Sequence, residues 1–316
     1  MATTLDLMLK DSPIVHVLTR REDGVSLYIK REDLLHPQVS GNKFRKLKYN
    51  LAEAQKQGHT RLLTFGGAFS NHIAAVAAAG KILDLQTIGV IRGDELGRDM
   101  ESTLKKNPTL DFAASQGMKF LFVSRSDYRE KETTAFRQDL EKEFGSFYLI
   151  PEGGTNTLAV KGCEEILTGV GKDFDFICCA VGTGGTIAGL INAAAKDQKV
   201  LGFPALKGDF LEGEISKYTS ATNWELVNKY HFGGYAKVSP ELIDFINDFR
   251  KTYDILLDPV YTGKMLFGIF DMMENAVFPQ NSRILAIHTG GLQGITGMNK
   301  LLKNKNFPLI DVENEI

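Results

Sequence analysis

Four times along this chain a short apolar run ends in clustered glycines and gives way to a segment of helix length. The runs Arg61 to Phe65, Phe147 to Ile150, Phe176 to Val181 and Arg283 to His288 lead into Gly66-Gly67, Gly153-Gly154, Gly182-Thr183-Gly184-Gly185 and Gly290-Gly291. Further strand candidates are Ser26 to Ile29, Thr87 to Ile91, Lys119 to Val123 and Val200 to Phe203. Several are apolar on both faces, as strands of a parallel sheet covered by helices must be. Helical candidates lie around Phe44 to Lys56, Asn71 to Ile82, Tyr128 to Phe144, Leu158 to Leu167, Thr186 to Ala195, Pro240 to Thr252 and Met265 to Asn275. Alternating strands and helices define an α/β chain. In open α/β sheets ligands bind beyond the carboxyl ends of strands, where glycine lets backbone amides come close to a ligand. The 31 glycines in 316 residues exceed the usual share of roughly 7%, and the excess falls in these turns.

Charge and cysteine content narrow the function. Lys+Arg 37 against Asp+Glu 39 leaves a net charge of −2, so there is no global basic field for nucleic acid or an anionic membrane surface. No apolar run approaches the roughly 18 residues of a membrane span. Cys163, Cys178 and Cys179 form no Cys-x-x-Cys pair and have no histidine at zinc-like spacing. They read as buried reduced thiols, with neither a disulfide framework nor a metal site. The start, Met1 to Asp6, carries an acid and no basic-then-apolar run, which argues against a secretory signal and for the cytosol. A chain of this length buries a core divided between two lobes.

The stretch Ala180 to Gly189 runs from a buried strand through a glycine-rich turn into a helix, and free amides there form a phosphate cradle. A dinucleotide fingerprint needs glycine where Ile187 stands, and no acid follows about 20 residues on to hold a ribose. A P-loop needs a lysine that this turn lacks. A lone phosphate remains, with tight strand–helix packing as the bland alternative. In Ser40-Gly41-Asn42-Lys43 a lysine follows a small turn at a helix start. Near positive backbone ends and other cations its neutral amine is favoured, as Schiff-base chemistry requires; most lysines are instead solvated surface charges. Ser70 and Asn71 open a helix after Gly66-Gly67, so they either cap it or bind a substrate carboxylate there. His72 reads as a helix-surface residue. Asp258-Pro259 starts a turn that faces Tyr261 and Thr262 toward a cleft, although a packed tyrosine is the commoner outcome. The glycines of His288-Thr289-Gly290-Gly291 allow either approach to a flat ring or simple chain reversal.

Taken together and in order, these elements resemble the pyridoxal-phosphate enzymes of the tryptophan synthase β family, in the branch of 1-aminocyclopropane-1-carboxylate (ACC) deaminase and D-cysteine desulfhydrase. The resemblance is carried by Lys30-Arg31-Glu32-Asp33, Gly41-Asn42-Lys43-x-Arg45-Lys46-Leu47, Gly66-Gly67-x-x-Ser70-Asn71-His72, the glycine loop, Asp258-Pro259-Val260-Tyr261-x-Gly263-Lys264 and His288-Thr289-Gly290-Gly291, and spans nearly the whole chain. It implies fold type II: two open, twisted, mostly parallel sheets flanked by helices. A large cofactor-binding domain of residues 1–48 plus 155–316 would carry a small inserted α/β domain of residues 49–154, with pyridoxal 5'-phosphate between them. Lys43 would bind the cofactor covalently, and Gly182, Thr183, Gly184, Gly185 and Thr186 would hold its phosphate. Asn71 would meet the ring oxygen, Ser70 would meet the substrate carboxylate or help the proton transfer, and Asn71 and His72 would also contact the substrate. Tyr261 and, by a looser match, Tyr235 would be the two active-site tyrosines, and Thr262 would face the pyridine nitrogen.

The position of Thr262 carries glutamate in ACC deaminases, where a carboxylate keeps the ring nitrogen protonated for cyclopropane opening. Threonine resembles the desulfhydrases instead. The resemblance therefore implies β-elimination from D-cysteine to pyruvate, ammonia and sulfide, by a homodimer acting on a small amino acid. ACC deamination, another elimination or racemisation on thio or hydroxy amino acids, and an inactive cofactor-binding relative are the alternatives. The chain departs from the family pattern at Phe69, where glutamine is usual, and after Gly291, where Leu292-Gln293-Gly294 replaces the usual continuation.

Overall fold

The computed structural model describes residues 9–312, so the expectation for Met1 to Asp6 lies outside the described residues. In chain order the elements are β1 (Ile14–Thr19), β2 (Ser26–Lys30), α1 (Asn42–Lys56), β3 (Arg61–Gly67), α2 (Asn71–Ile82), β4 (Gln86–Arg92), α3 (Met100–Lys106), α4 (Pro108–Ser115), β5 (Lys119–Val123), α5 (Thr134–Phe144) and β6 (Tyr148–Ile150). There follow α6 (Thr157–Glu164), β7 (Phe176–Val181), α7 (Gly185–Ala193), β8 (Lys199–Pro204), α8 (Leu211–Ser216), β9 (Trp224–Leu226), α9 (Pro240–Tyr253), α10 (Thr262–Glu274), β10 (Arg283–Ile287) and α11 (Gly294–Asn304).

The strands form a six-stranded sheet, β1-β2-β10-β7-β8-β9, and a four-stranded sheet, β5-β4-β3-β6. All pairings are parallel except β1 with β2. Strands buried on both faces explain the unbroken apolar runs: in β7 and β8 every residue but the first is buried. The larger sheet is covered on its two faces by separate cores, one built with α9, α10 and α11 and the other with α6 and α7. α1 packs on α6, yet its Phe44, Leu47, Leu51 and Ala54 belong to the core of the smaller sheet. The expected border between residues 48 and 49 therefore falls inside one continuous helix that joins the two cores.

Two strands and four helices were not legible in the sequence. β1 is the half-exposed antiparallel edge and β9 has three residues; α3, α4 and α8 are short, and α11 opens among glycines. The segment expected to be helical from Tyr128 begins its α-helix only at Thr134, where Thr133 caps it. All three cysteines are buried and free. Among the described residues, no helix is long and apolar enough to cross a membrane.

Candidate active site

The four glycine turns converge with the start of α1 on one cleft between the two sheets. Gly41 fixes where α1 begins beside it. Its φ of 60° is left-handed, and a Cβ there would lie 2.0 Å from the Thr289 carbonyl oxygen, so only glycine allows α1 to start against the turn after β10. Behind this turn the buried Glu32 accepts Arg45 Nε (2.9 Å) and Ser12 Oγ (2.7 Å), and Arg31 pairs with Asp33 (2.7 Å). The charged run Lys30 to Asp33 is thus a frame for the start of α1 rather than part of the cleft wall.

Lys43 points into the cleft, its Nζ donating to Asn42 Oδ1 (2.9 Å). Asn42 Nδ2 in turn donates to Thr186 Oγ1 (2.8 Å), at the first turn of α7, so one side chain links the lysine to the glycine loop. Burial, and then the neighbouring Lys46 charge, bring the Lys43 pKa from 10.5 down to about 7. Its amine is then partly neutral near pH 7 and able to act as nucleophile and base.

Lys46 was part of the motif but not singled out from the sequence. It lies one helical turn from Lys43, on the same face. Only 3% exposed, its Nζ donates to Gly153 O (2.9 Å), Thr155 Oγ1 (3.0 Å) and Thr183 Oγ1 (3.3 Å). One ammonium therefore ties the turn after β6 to the turn after β7. The glycine loop itself ends at Gly184, in the left-handed region with φ 83° and no side-chain cap. The first amides of α7 have no intrahelical acceptors, and the helix dipole adds to their attraction for an anion.

Opposite stands the start of α2. Ser70 is its N-cap, accepting from Ile73 N at 3.4 Å, and also lines the cleft. Capping and ligand-facing are thus both true of it. Asn71 Oδ1 is buried without a hydrogen-bond partner among the described residues. His72 corrects the surface expectation: it is 2% exposed and lines the cleft. Thr64 Oγ1 donates to Ile150 O (2.9 Å) and so accepts from His72 Nε2 (2.8 Å). The proton sits on Nε2, leaving Nδ1 a bare, unpartnered acceptor. Burial, then the Lys43 and Lys46 charges, hold the His72 pKa well below 6.5.

Tyr235 and Tyr261 meet edge to face, ring centroids 6.2 Å apart, and both line the cleft. Burial and then the neighbouring Tyr235 raise the Tyr261 pKa well above 10, so its hydroxyl stays protonated. Thr262 does not reach the cleft wall. Its hydroxyl donates to Asp258 Oδ1 (2.7 Å) and accepts from Asp258 N (3.0 Å), because Asp258 gathers the first polar groups of α10 around one buried carboxylate. Of the threonines that do line the cleft, Thr183 and Thr186 belong to the glycine loop and Thr289 to the turn after β10. Thr289 was legible only as part of the His-Thr-Gly-Gly turn.

The site thus combines an open anion cradle, a lysine with a partly neutral amine and an orphaned amide oxygen. That set fits pyridoxal phosphate, which needs a phosphate seat, an amine for its aldehyde and a partner for its ring hydroxyl. A family model described as "Pyridoxal-phosphate dependent enzyme" matches residues 6–290. The chain is 33% identical to a putative ACC deaminase of Thermotoga maritima, across 94% of this chain and 99% of that one. It is 32% identical to the mitochondrial bifunctional D-cysteine desulfhydrase/ACC deaminase of Arabidopsis thaliana, across 86% and 74%. A solved ACC deaminase homologue superposes with a TM-score of 0.80 at 31% identity, over 94% of each chain. Fold and site define a pyridoxal-phosphate-dependent enzyme of fold type II. Within that class the chain belongs to the ACC deaminase and D-cysteine desulfhydrase family.

Proposed function

We propose that the chain is a β-eliminating lyase that converts D-cysteine and water to pyruvate, ammonium and hydrogen sulfide. The observation that carries this is the cleft lining: among the described residues it includes two lysines and no carboxylate. With the Thr262 hydroxyl turned to Asp258, the group that lines the cleft in the turn after β10 is the Thr289 hydroxyl. A wall without a carboxylate would not hold a cofactor ring nitrogen protonated, which would suffice when a thiol leaves from Cβ but would weaken the electron sink that cyclopropane opening needs.

In this reading Lys43 binds the cofactor, the loop Gly182 to Thr186 holds its phosphate, and Asn71 meets its ring oxygen. When bound, the cofactor supplies the electron sink that makes the substrate α-hydrogen acidic. Ser70 and the α2 amides orient the substrate carboxylate beside His72. The Lys43 amine accepts the α-proton, and Tyr261, whose proton is retained, stands with Tyr235 to protonate the leaving sulfur. A base held in such a position argues against an inactive cofactor-binding relative.

ACC deamination is the second reading, favoured by the names of the similar proteins. Product analysis of the cofactor-loaded protein with D-cysteine, L-cysteine, D-serine and ACC in parallel separates the two. Pyruvate with sulfide from D-cysteine is the expected result. Release of 2-oxobutyrate from ACC, with D-cysteine inert, overturns the proposal.

A further inference from the structure

A second cavity adjoins the cleft at its tyrosines. Asn71, Tyr235, Tyr261 and Gly291 also form one wall of this second cavity, of about 100 Å³. Its opposite walls are apolar: Phe69 before α2, Val260 before α10, and Met298 and Leu301 on α11. Gly297 leaves the α11 surface bare where Phe69 lies against it, and a Cβ there would stand 3.2 Å from the Phe69 ring. The charged group at this wall, Asp258, is already engaged: its carboxylate accepts the amides of Val260, Tyr261 and Thr262 and the Thr262 hydroxyl. Phe69 and Leu301 stay 49% and 46% exposed, an apolar lip on this second cavity. A polar substrate the size of cysteine has no use for such a lip.

We infer that this cavity is a subsite for an apolar group on the substrate's β-sulfur, so that the enzyme prefers S-alkyl-D-cysteines to the free thiol. The inference rests on the β-elimination proposed above and names its substrate class. A void of this size is smaller than the roughly 150 Å³ that takes up benzene, and suits a short alkyl chain. The reaction balances as R–S–CH₂–CH(NH₃⁺)–COO⁻ plus water giving R–SH, pyruvate and NH₄⁺. The Cα–H and Cβ–S bonds break, and the sulfur leaves with the Cβ–S electron pair and is protonated to the thiol. Water hydrolyses the released enamine through its imine tautomer. No oxidant is needed.

The test compares kcat/KM of the holoenzyme for S-methyl-, S-ethyl- and S-propyl-D-cysteine with that for D-cysteine. Each buried methylene should raise it about fourfold. D-norleucine and D-2-aminobutyrate, which lack a leaving group, report binding alone, and the longer one, with two more methylenes, should bind about fifteenfold more tightly. Phe69→Ala and, independently, Leu301→Ser should shrink both ratios toward one; both residues are half exposed, so the fold tolerates the changes. A flat or falling series with D-cysteine still converted overturns the subsite and leaves the lyase standing. If no thiol or thioether yields pyruvate, the lyase falls, and equal binding of the two analogues then rejects the subsite on its own.

Discussion

Two strand-to-helix turns look alike in the sequence: β3 through Gly66-Gly67 into α2, and β7 through Gly182-Thr183-Gly184-Gly185 into α7. In the structure both helix starts line the cleft, but they are capped differently. α2 starts with a side-chain cap, Ser70, followed by the unpartnered Asn71 amide and the buried His72. α7 starts with a left-handed glycine that offers no side chain at all. A side-chain cap uses part of the helix's anion affinity on the protein's own oxygen and leaves polar groups that discriminate between ligands. A glycine cap leaves the amides free for an external anion such as a phosphate. The comparison teaches that the cap residue, more than the strand or the glycines around it, sets what such a turn can bind. Lys43 stands between the two, tied to α7 through Asn42 and Thr186.

Removing what both turns serve gives the largest effect. Lys43→Met keeps the bulk of the side chain and deletes its amine, and turnover should fall about 10³-fold or more. Borohydride should no longer fix cofactor to the protein, as read by mass spectrometry. The same variant tests the pKa argument in the cofactor-free protein. Lys43 deprotonates near 7 when folded and near 10.5 when unfolded, so between those values the unfolded chain binds more protons. Stability from this group therefore rises with pH from about 7 upward. Urea midpoints at pH 6.5, 7.5 and 8.5 should rise less steeply in the variant than in the wild type; equal slopes would mean that the lysine is not desolvated.

Gly184→Ala attacks the α7 side alone. Alanine in the left-handed region costs about 1–2 kcal/mol, and its Cβ would meet Ile215 Cγ1 at 3.1 Å. The loop relaxes away from this geometry when empty, so cofactor binding has to restore it, and the cofactor Kd should rise about tenfold in a spectroscopic titration. An unchanged Kd would show that the amides of this turn are not the phosphate seat.

Much of this contrast is legible in the sequence. Both helix starts, the fold class and the grouping of Lys43 with the glycine turns follow from local pattern, since strand burial and cap chemistry are written in neighbouring residues. What escaped depended on contacts distant in sequence. Lys46 gains its role from carbonyl and hydroxyl groups 107 to 137 residues away, and His72 is buried by Thr64 and the turn after β6. Thr262 failed for the opposite reason: a local competitor, Asp258 four residues earlier, captures its hydroxyl. Alignment to a motif reports position along the chain, whereas the direction of a side chain is decided by such competition.

Ser70→Ala is the smallest and the sharpest of the changes. Loss of an N-cap hydroxyl costs about 0.5–2 kcal/mol, and the 3.4 Å separation from Ile73 N places Ser70 at the weak end of that range. A Tm decrease of about 1–2 °C in the cofactor-free protein is expected by differential scanning calorimetry. On the proposed assignment of α2 to the substrate and α7 to the phosphate, the cofactor Kd should stay within about twofold while KM for the amino acid rises, each hydrogen bond to a charged group being worth roughly 1.5–3 kcal/mol. The pair of variants then forms a crossed test, with Gly184→Ala moving cofactor affinity and Ser70→Ala moving substrate affinity. Should Ser70→Ala weaken the cofactor as much as Gly184→Ala does, the two turns share one ligand and the division of labour between a capped and an uncapped helix start is wrong.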